Sequence, residues 1–251
     1  MIFTNDLTIN IGISIIFYYL FDRSFQSTIN RKSIKDKLDE FHPKLISEFT
    51  DRSVSFIHAL STALMTTMFL SDTTWLFPFD TTRLFPFDTT RLNWLWDAYI
   101  NSMAYSLYHS YKLFYEADNP LKKQMYVHHI AMFYLLWFTY QTNQVIQYEL
   151  VAKGLLMEWS TVFLQPSLIL NKIDKKNNMV FKVNSWLTLS TFLIFRIFLF
   201  LSLIPKVYQL NLLCAFFCAI LYCFNLIWFS QLVKHQVKNL LNKYHNTFLE
   251  K

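Results

Sequence analysis

The chain has 251 residues and a formal net charge of +6, and it is strongly apolar: hydrophobic residues make up 53%, aromatic residues 19% and charged residues only 16%. Soluble domains usually carry about a quarter charged residues, so the composition argues against an ordinary soluble enzyme and predicts a membrane protein. Membrane topology then accounts for the positive charge, and we expect no nucleic-acid partner. The two glycines, Gly12 and Gly154, are too few for a glycine-rich phosphate-binding loop.

Seven stretches approach the roughly 20 mostly apolar residues that a spanning helix needs. The first is short and the third is the most polar. The sequence therefore predicts an all-α fold, a polytopic bundle of about seven transmembrane helices. In chain order the stretches are residues 7–21, 54–71, 93–114, 126–147, 150–171, 181–203 and 207–232.

The Lys and Arg residues are distributed unequally between the two ends of this predicted bundle. Basic residues mark the cytosolic side of membrane proteins, so we expect a lumenal or external N-terminus and a cytosolic C-terminus. Residues 1–40 would then form the first span and a basic cytosolic linker, and residues 235–251 a cytosolic tail. Of the 23 Lys and Arg residues, 18 lie in four segments predicted to share one side: 22–53, 112–125, 172–182 and 234–251.

A short repeat precedes and enters the third predicted span. It reads TTWLFPFD at 73–80, TTRLFPFD at 81–88 and TTRLNWLWD at 89–97. Two and a half copies of eight residues are too few for a solenoid. We interpret the repeat as a lengthened lumenal loop.

Polar residues recur at helical spacing in several spans, and such stripes face inward because hydrocarbon penalises exposed polar groups. His58, His109, His128 and His129 all fall in the cytosolic half of the predicted bundle, and Asn225 is close to that depth. Ionisable groups at membrane depth are functional candidates by default. We therefore predict a substrate cavity whose wall includes His58, His109 and Asn225.

The adjacent His128 and His129 are the strongest candidates for chemistry. Neighbours on a helix point about 100° apart, so one imidazole would face a substrate while the other orients it or packs. A neutral imidazole can take a proton from an amine or hydroxyl, or accept an acyl group, and a carboxylate can stabilise its charged form. We assign catalytic roles to His128, His129 and Glu158; a satisfied pair of interfacial histidines is the alternative.

Asp97 and Arg196 both lie towards the lumenal side of the predicted spans. An unpaired buried charge costs more than a paired one, so we predict a structural ion pair between them. The chain has no CxxC or Cys/His zinc spacing and lacks the histidine boxes of di-iron hydroxylases. We expect no bound metal and no bound cofactor.

Six motifs in order, from about Phe41 to Lys234, resemble the TLC-domain family, which includes the translocation-associated membrane proteins and the ceramide synthases. The resemblance implies a six-span TLC-type domain over 41–234 and a role in lipid metabolism or membrane-lipid homeostasis. It also implies the endoplasmic reticulum or a related endomembrane, or host membranes if the source is a virus. The motifs are RSVSFIHA (52–59), WDAYINSM (96–103), YVHHIAMF (126–133), MEWSTVFLQP (157–166), FRIF (195–198) and NLIW (225–228).

One departure from the family pattern bears on function. In ceramide synthases the histidine pair is followed by His-Asp-x-x-Asp, whereas here the corresponding region reads KGLLMEWST, with Glu158 as its only acid. The resemblance therefore points to the less characterised TLC proteins rather than to ceramide synthases. Two functions stay open: an acyltransferase that uses acyl-CoA as co-substrate and membrane lipids as acceptors, and a non-enzymatic lipid sensor or translocation accessory. Homo-oligomerisation also stays open.

Overall fold

The computed structural model describes residues 3–29, 43–70, 89–115, 120–142, 145–172 and 178–249. Nearly all of these residues are helical and none of them forms a strand, which confirms the predicted all-α class. They make seven successive rods, of which the fifth and sixth are interrupted. The elements are α1 (Phe3–Ile29), α2 (Pro43–Leu70), α3 (Thr89–Tyr115), α4 (Pro120–Thr142), α5 (Val145–Leu155), α6 (Glu158–Lys172), α7 (Met179–Thr191), a π-helical segment (Phe192–Leu199), α8 (Phe200–Leu210) and α9 (Leu212–Leu249).

Several helices extend well beyond the predicted spans: α1 ends at Ile29, α2 begins at Pro43 and α9 ends at Leu249, whereas the predictions gave 21, 54 and 232. Two boundaries lie inside the predicted spans. The fourth predicted span ended at residue 147, whereas α4 ends at Thr142. The seventh was predicted from residue 207, but the chain becomes extended only at Asn211, whose side chain accepts a hydrogen bond from the Cys214 N–H (3.0 Å) and so caps α9. Residues 30–42 of the predicted linker and 73–88 of the repeat lie outside the described residues.

Three helical stretches in the described part of the chain are long and apolar enough to cross a membrane. They are Glu48–Leu70, Met179–Leu210 and Leu212–Lys238, with mean hydropathies of 1.4, 2.2 and 2.3. Large apolar side chains such as Phe198 (63% exposed) and Phe216 (58%) point away from the protein interior. Water would penalise such a surface, whereas lipid tails solvate it, so these helices suit an integral membrane protein.

The helices close into a ring around a central space. α2 packs against α3 and α6, α6 against α7, α9 against α8 and α4, and α4 against α3. α5 fills one end of this ring, in contact with α2, α4 and α8. α1 packs against α2 and α3 and is not part of the ring.

Small side chains allow the ring helices to approach closely where they cross. Ala98 and Ala104 on α3, and Ala59 and Ala63 on α2, have no exposed surface. Close backbone approach between small residues is how helices associate inside membranes, where lipid tails remove the hydrophobic driving force. The tight packing of α2 and α3 brings polar side chains of the two helices into contact.

Candidate functional site

The chain departs from α-helical geometry at two neighbouring places in the ring. At the α5–α6 junction, the Ser160 N–H donates to the Met157 carbonyl (3.0 Å), three residues back instead of four, and Glu158 begins α6. The π-helical segment in the sixth rod carries Arg196. The first irregularity is a tightened, 3₁₀-like turn and the second a widened one, and both kinds of turn within a helix often mark functional sites. The two irregular turns thus carry an acidic side chain, Glu158, and a basic side chain, Arg196, on neighbouring elements.

The Arg196 guanidinium joins three helices. Its Nε donates to Ser160 Oγ (2.6 Å) and its Nη2 to Thr161 Oγ1 (2.7 Å), both on α6. Its Nη1 donates to Asn225 Oδ1 on α9 (3.3 Å). Glu158, which interacts electrostatically with Arg196, is as deeply buried: the two side chains are 7% and 5% exposed. An opposite charge and hydrogen bonds lower the cost of burying a charge, and Arg196 has three hydrogen bonds as well as the electrostatic attraction of Glu158.

A cavity of about 390 Å³ lies inside the ring, beside this charged pair. We call it the polar cavity. Its wall includes residues of α2, α3, α4, α6, α7, the π-helical segment and α9. Among the residues predicted for the site, those that line it are His58, His128, His129, Glu158 and Arg196.

His128 lines the polar cavity and has a ring nitrogen without a hydrogen-bond partner in the described part of the chain. The residue is 6% exposed, and its Nδ1 has no hydrogen-bond partner among the described residues. The ring packs edge-on against Trp228 (centroids 5.2 Å apart), whose indole N–H donates to Gln124 (3.2 Å). A buried nitrogen without a partner costs free energy that a bound ligand would recover. His128 is therefore the histidine best placed to meet a ligand.

His129 is occupied within the protein. Its Nε2 lies 2.7 Å from Nδ1 of His109, so one imidazole donates and the other accepts. His109 does not line the polar cavity, and it contacts His129 through this hydrogen bond. The two histidines of the pair thus have different surroundings, as their 100° separation on the helix predicts.

Tyr105 links the histidines of different helices. Its ring stacks on His58 with centroids 4.0 Å apart and planes 7° apart, and on His109 at 5.3 Å and 10°. It also meets His129 edge-on at 5.6 Å. The sequence analysis gave Tyr105 no role and did not predict this bridging position.

α1 reaches the site through Tyr18, which the sequence did not single out. Tyr18 is 1% exposed, and its hydroxyl donates to Asn101 Oδ1 on α3 and lies 3.4 Å from His58 Nδ1. One turn later, Asp22 accepts hydrogen bonds from Tyr108 (2.8 Å) and Lys112 (3.1 Å). A tyrosine in an apolar span is an ordinary packing residue by composition, so only the tertiary structure shows this contact.

The predicted ion pair between Asp97 and Arg196 is wrong. Asp97 is exposed on α3, whereas Arg196 is buried and bonds to α6 and α9. Matching depth was the basis of the prediction, and depth does not determine which face of a helix a side chain occupies. Asn225, predicted for the cavity wall, is fully buried behind it as a partner of Arg196.

A second cavity, of about 80 Å³, lies between α4, α5, α8 and α9. We call it the apolar cavity. The hydroxyl of Thr139 in its wall donates to the Leu135 carbonyl (2.8 Å), so it offers little polarity to the cavity. Other lining residues include Leu136, Leu155, Phe200, Leu203, Cys214, Cys218 and Gly154. Within the described residues, no group of three or more His, Cys, Asp or Glu side chains is arranged to hold a metal ion.

The sequence model of the TLC-domain family matches residues 48–234, about three quarters of the chain. The protein therefore belongs to the TLC-domain family. This confirms the resemblance seen in the motifs and identifies a membrane protein of a lipid-related family. α1 lies before the matched region, so its contacts with His58 and Lys112 come from outside the domain. A search of curated proteins found no match to the chain.

Proposed function

We propose that the protein transfers an acyl group from a soluble acyl thioester, such as acyl-CoA, to an amine or hydroxyl of a membrane lipid. The observation that carries the proposal is the buried, unpartnered Nδ1 of His128, a residue that lines the polar cavity. A neutral imidazole in this position can act as a general base. We expect the endoplasmic reticulum or a related endomembrane to be the site of action.

In the proposed reaction, the lipid amine or hydroxyl attacks the carbonyl carbon of the thioester while His128 removes its proton. The carbon–sulfur bond breaks, and the leaving thiolate takes that proton, which gives the acylated lipid and the free thiol. Arg196 stabilises the negative charge that develops at the carbonyl oxygen, and Glu158 stabilises the positive charge that develops at the imidazole. Glu158 would act through this electrostatic effect, since its described contacts are with Arg196 and Thr161 rather than with the imidazole.

The two cavities suit a ligand that is polar at one end and apolar at the other. Residues of α4 take part in both: His128 and His129 line the polar cavity, and Met132 and Leu136, one to two turns further along, line the apolar cavity. At the α5–α6 junction, Met157 lines the apolar cavity and the next residue, Glu158, lines the polar cavity. This arrangement supports a lipid whose reactive group lies by the histidines and whose hydrocarbon lies between α4, α5 and α9.

A substitution at His128 tests the proposal directly. The assay uses reconstituted liposomes supplied with labelled acyl-CoA and a mixture of lipid amines and alcohols. His128→Gln should reduce the acylated product by at least 100-fold, because a general base typically raises the rate by about 10²–10⁴-fold. His245→Gln is the matched control, because His245 lies near the far end of α9, beyond the cavity-lining residues. Equal product from His128→Gln and the wild type would refute the proposal.

A non-enzymatic lipid sensor is the second candidate. It is favoured by Glu158, whose charge is balanced by Arg196 and which therefore has no need of a reaction to explain its burial. Lipidomics of cells that express the wild type or His128→Gln separates the two functions. A lipid shift that disappears in the variant supports the enzyme, whereas a shift of the same size in both supports the sensor.

A further inference from the structure

The hydrogen bonds around His58 determine which of its ring nitrogens carries the proton. The chain of reasoning begins at Ser61, one turn after His58 on α2. The Ser61 hydroxyl lies 2.9 Å from the carbonyl oxygens of both Ile57 and His58, and it donates its hydrogen to them. Its oxygen is then an acceptor for other groups.

The Asn101 amide is oriented by this serine. Its Nδ2 lies 2.8 Å from Ser61 Oγ and 2.8 Å from Thr62 Oγ1, so its two hydrogens are both used on α2. The same nitrogen lies 3.4 Å from His58 Nδ1, but no hydrogen is left for that longer contact. Turning the amide round would place its carbonyl oxygen against Ser61, whose hydrogen is already committed. Amide orientation is assigned from the surrounding network in this way. The Oδ1 of Asn101 therefore faces Tyr18.

Tyr18 has a single hydroxyl hydrogen, which goes to Asn101 Oδ1. Towards His58 Nδ1, 3.4 Å away, the phenol oxygen can only accept. Thr62 Oγ1 lies 3.3 Å from Ser102 Oγ, where either hydroxyl can donate, and its 3.5 Å contact with His58 Nδ1 is the longest of the side-chain contacts described at that nitrogen. The described partners of His58 are uncharged, and they favour a neutral imidazole with its hydrogen on Nδ1.

We propose that Tyr18 is a positioning residue: through Asn101 it holds His58 in the Nδ1–H tautomer and leaves Nε2 as a hydrogen-bond acceptor for a hydroxyl or amine of a lipid in the polar cavity. His58 lines that cavity, and its stacking on Tyr105 keeps the ring plane fixed. The tautomer depends on residues of α1, α2 and α3, and it holds whether or not His128 performs acyl transfer.

The tautomer can be observed by nuclear magnetic resonance of the full chain, labelled with ¹⁵N-histidine and embedded in nanodiscs. The resonances of His58 are identified by their loss in His58→Gln. We expect a proton on Nδ1 and none on Nε2 in the wild type. A wild-type proton on Nε2 would overturn the proposal.

Two variants test the role of Tyr18. Tyr18→Phe keeps the ring and removes the hydroxyl, and Ser61→Ala frees the Asn101 amide to turn. Each should convert the single tautomer into a mixture. Tyr19→Phe, a hydroxyl loss at a half-exposed neighbour on the same helix, should leave the spectrum unchanged. If Tyr18→Phe does not fold, the result for Ser61→Ala decides, and an unchanged spectrum in the folded variants contradicts the proposal.

The ligand class is tested with simple probes in the same nanodiscs. 1-Hexadecanol and hexadecylamine can donate a hydrogen bond, whereas hexadecane of equal chain length cannot. The first two should shift the Nε2 resonance of His58 and the alkane should not. Equal shifts from all three, or none from any, would show that Nε2 does not bind such donors.

Discussion

At the scale of single residues, Arg196 is the side chain whose chemistry is least replaceable. Each of its three nitrogens donates to a different residue, and the planar guanidinium fixes the directions of those bonds. A lysine has one ammonium on a flexible chain and cannot reach three acceptors spread over two helices. Arg196 therefore connects the π-helical segment to both α6 and α9.

Replacing Arg196 should strongly destabilise the protein. Arg196→Met leaves the buried Glu158 without its counter-charge and the oxygens of Ser160, Thr161 and Asn225 without a donor. Breaking a buried pair in this way costs about 3–5 kcal/mol, so we expect a clearly lower melting temperature in detergent. Arg23→Met, at an exposed position on α1, should change the free energy of unfolding by no more than about 0.5 kcal/mol.

The double variant Arg196→Met/Glu158→Gln separates charge from packing. With both charges gone, the unpaired carboxylate is no longer present, and part of the lost stability should return. If the double variant melts no higher than Arg196→Met, the electrostatic pairing of Glu158 with Arg196 does not stabilise the fold.

The sequence predicted the site residues best where they are ionisable, because an ionisable side chain within a membrane span is costly unless it has a role. His58, His128, His129, Glu158 and Arg196 are ionisable, and the structure brings all five to one cavity. Tyr18 and Tyr105 were not given roles because a tyrosine needs no explanation in an aromatic-rich span. The choice of partner for Arg196 failed for another reason: pairing depends on helix rotation, which apolar periodicity defines only loosely.

At the scale of helices, α5 is notable for carrying Gly154 in the wall of the apolar cavity. A Cβ added there would meet no atom within 4 Å, so Gly154→Ala fits without strain. Alanine is the better helix former by about 1 kcal/mol. Stability alone would favour alanine, and the glycine keeps the cavity at its full volume.

Gly154→Leu should fill the apolar cavity and exclude hydrocarbon from it. In nanodiscs that contain a photoreactive fatty acid, we expect crosslinking to α4 and α5 to fall several-fold. Gly12→Leu is the matched control, because Gly12 lies on α1, does not line the apolar cavity, and its added Cβ also meets open space. Undiminished crosslinking in Gly154→Leu would show that no hydrocarbon occupies the cavity.

The number of helices was predictable from hydropathy, but the two irregular turns were not. The π-helical segment contains no proline or glycine, and at the α5–α6 junction the one glycine, Gly154, lies inside α5, whereas Pro166 and Pro205 lie inside continuous helices. Sequence signals for breaks rest on such residues. Here tertiary contacts of Glu158 and Arg196 accompany the irregular turns, and contacts of that kind leave no local pattern.

At the scale of the whole molecule, the orientation in the membrane stays a prediction. Eighteen of the 23 Lys and Arg residues lie in segments predicted to share one side, and positive charge is retained in the cytosol. Glycosylation acceptor tags added before Met1 and after Lys251 test this in microsomes. We expect glycosylation of the N-terminal tag only. Glycosylation of the C-terminal tag would show that the orientation is the opposite of the predicted one.

α9 ties the cavity to the space beyond the bilayer. Its 38 residues span about 57 Å, nearly twice the roughly 30 Å of a hydrocarbon core. Residues 212–249 contain neither proline nor glycine, so the helix has no built-in hinge. The same continuous helix thus carries Trp228 in the cavity wall and the segment after Lys238. A molecule that binds and displaces the end of α9 would therefore also displace the wall of the polar cavity.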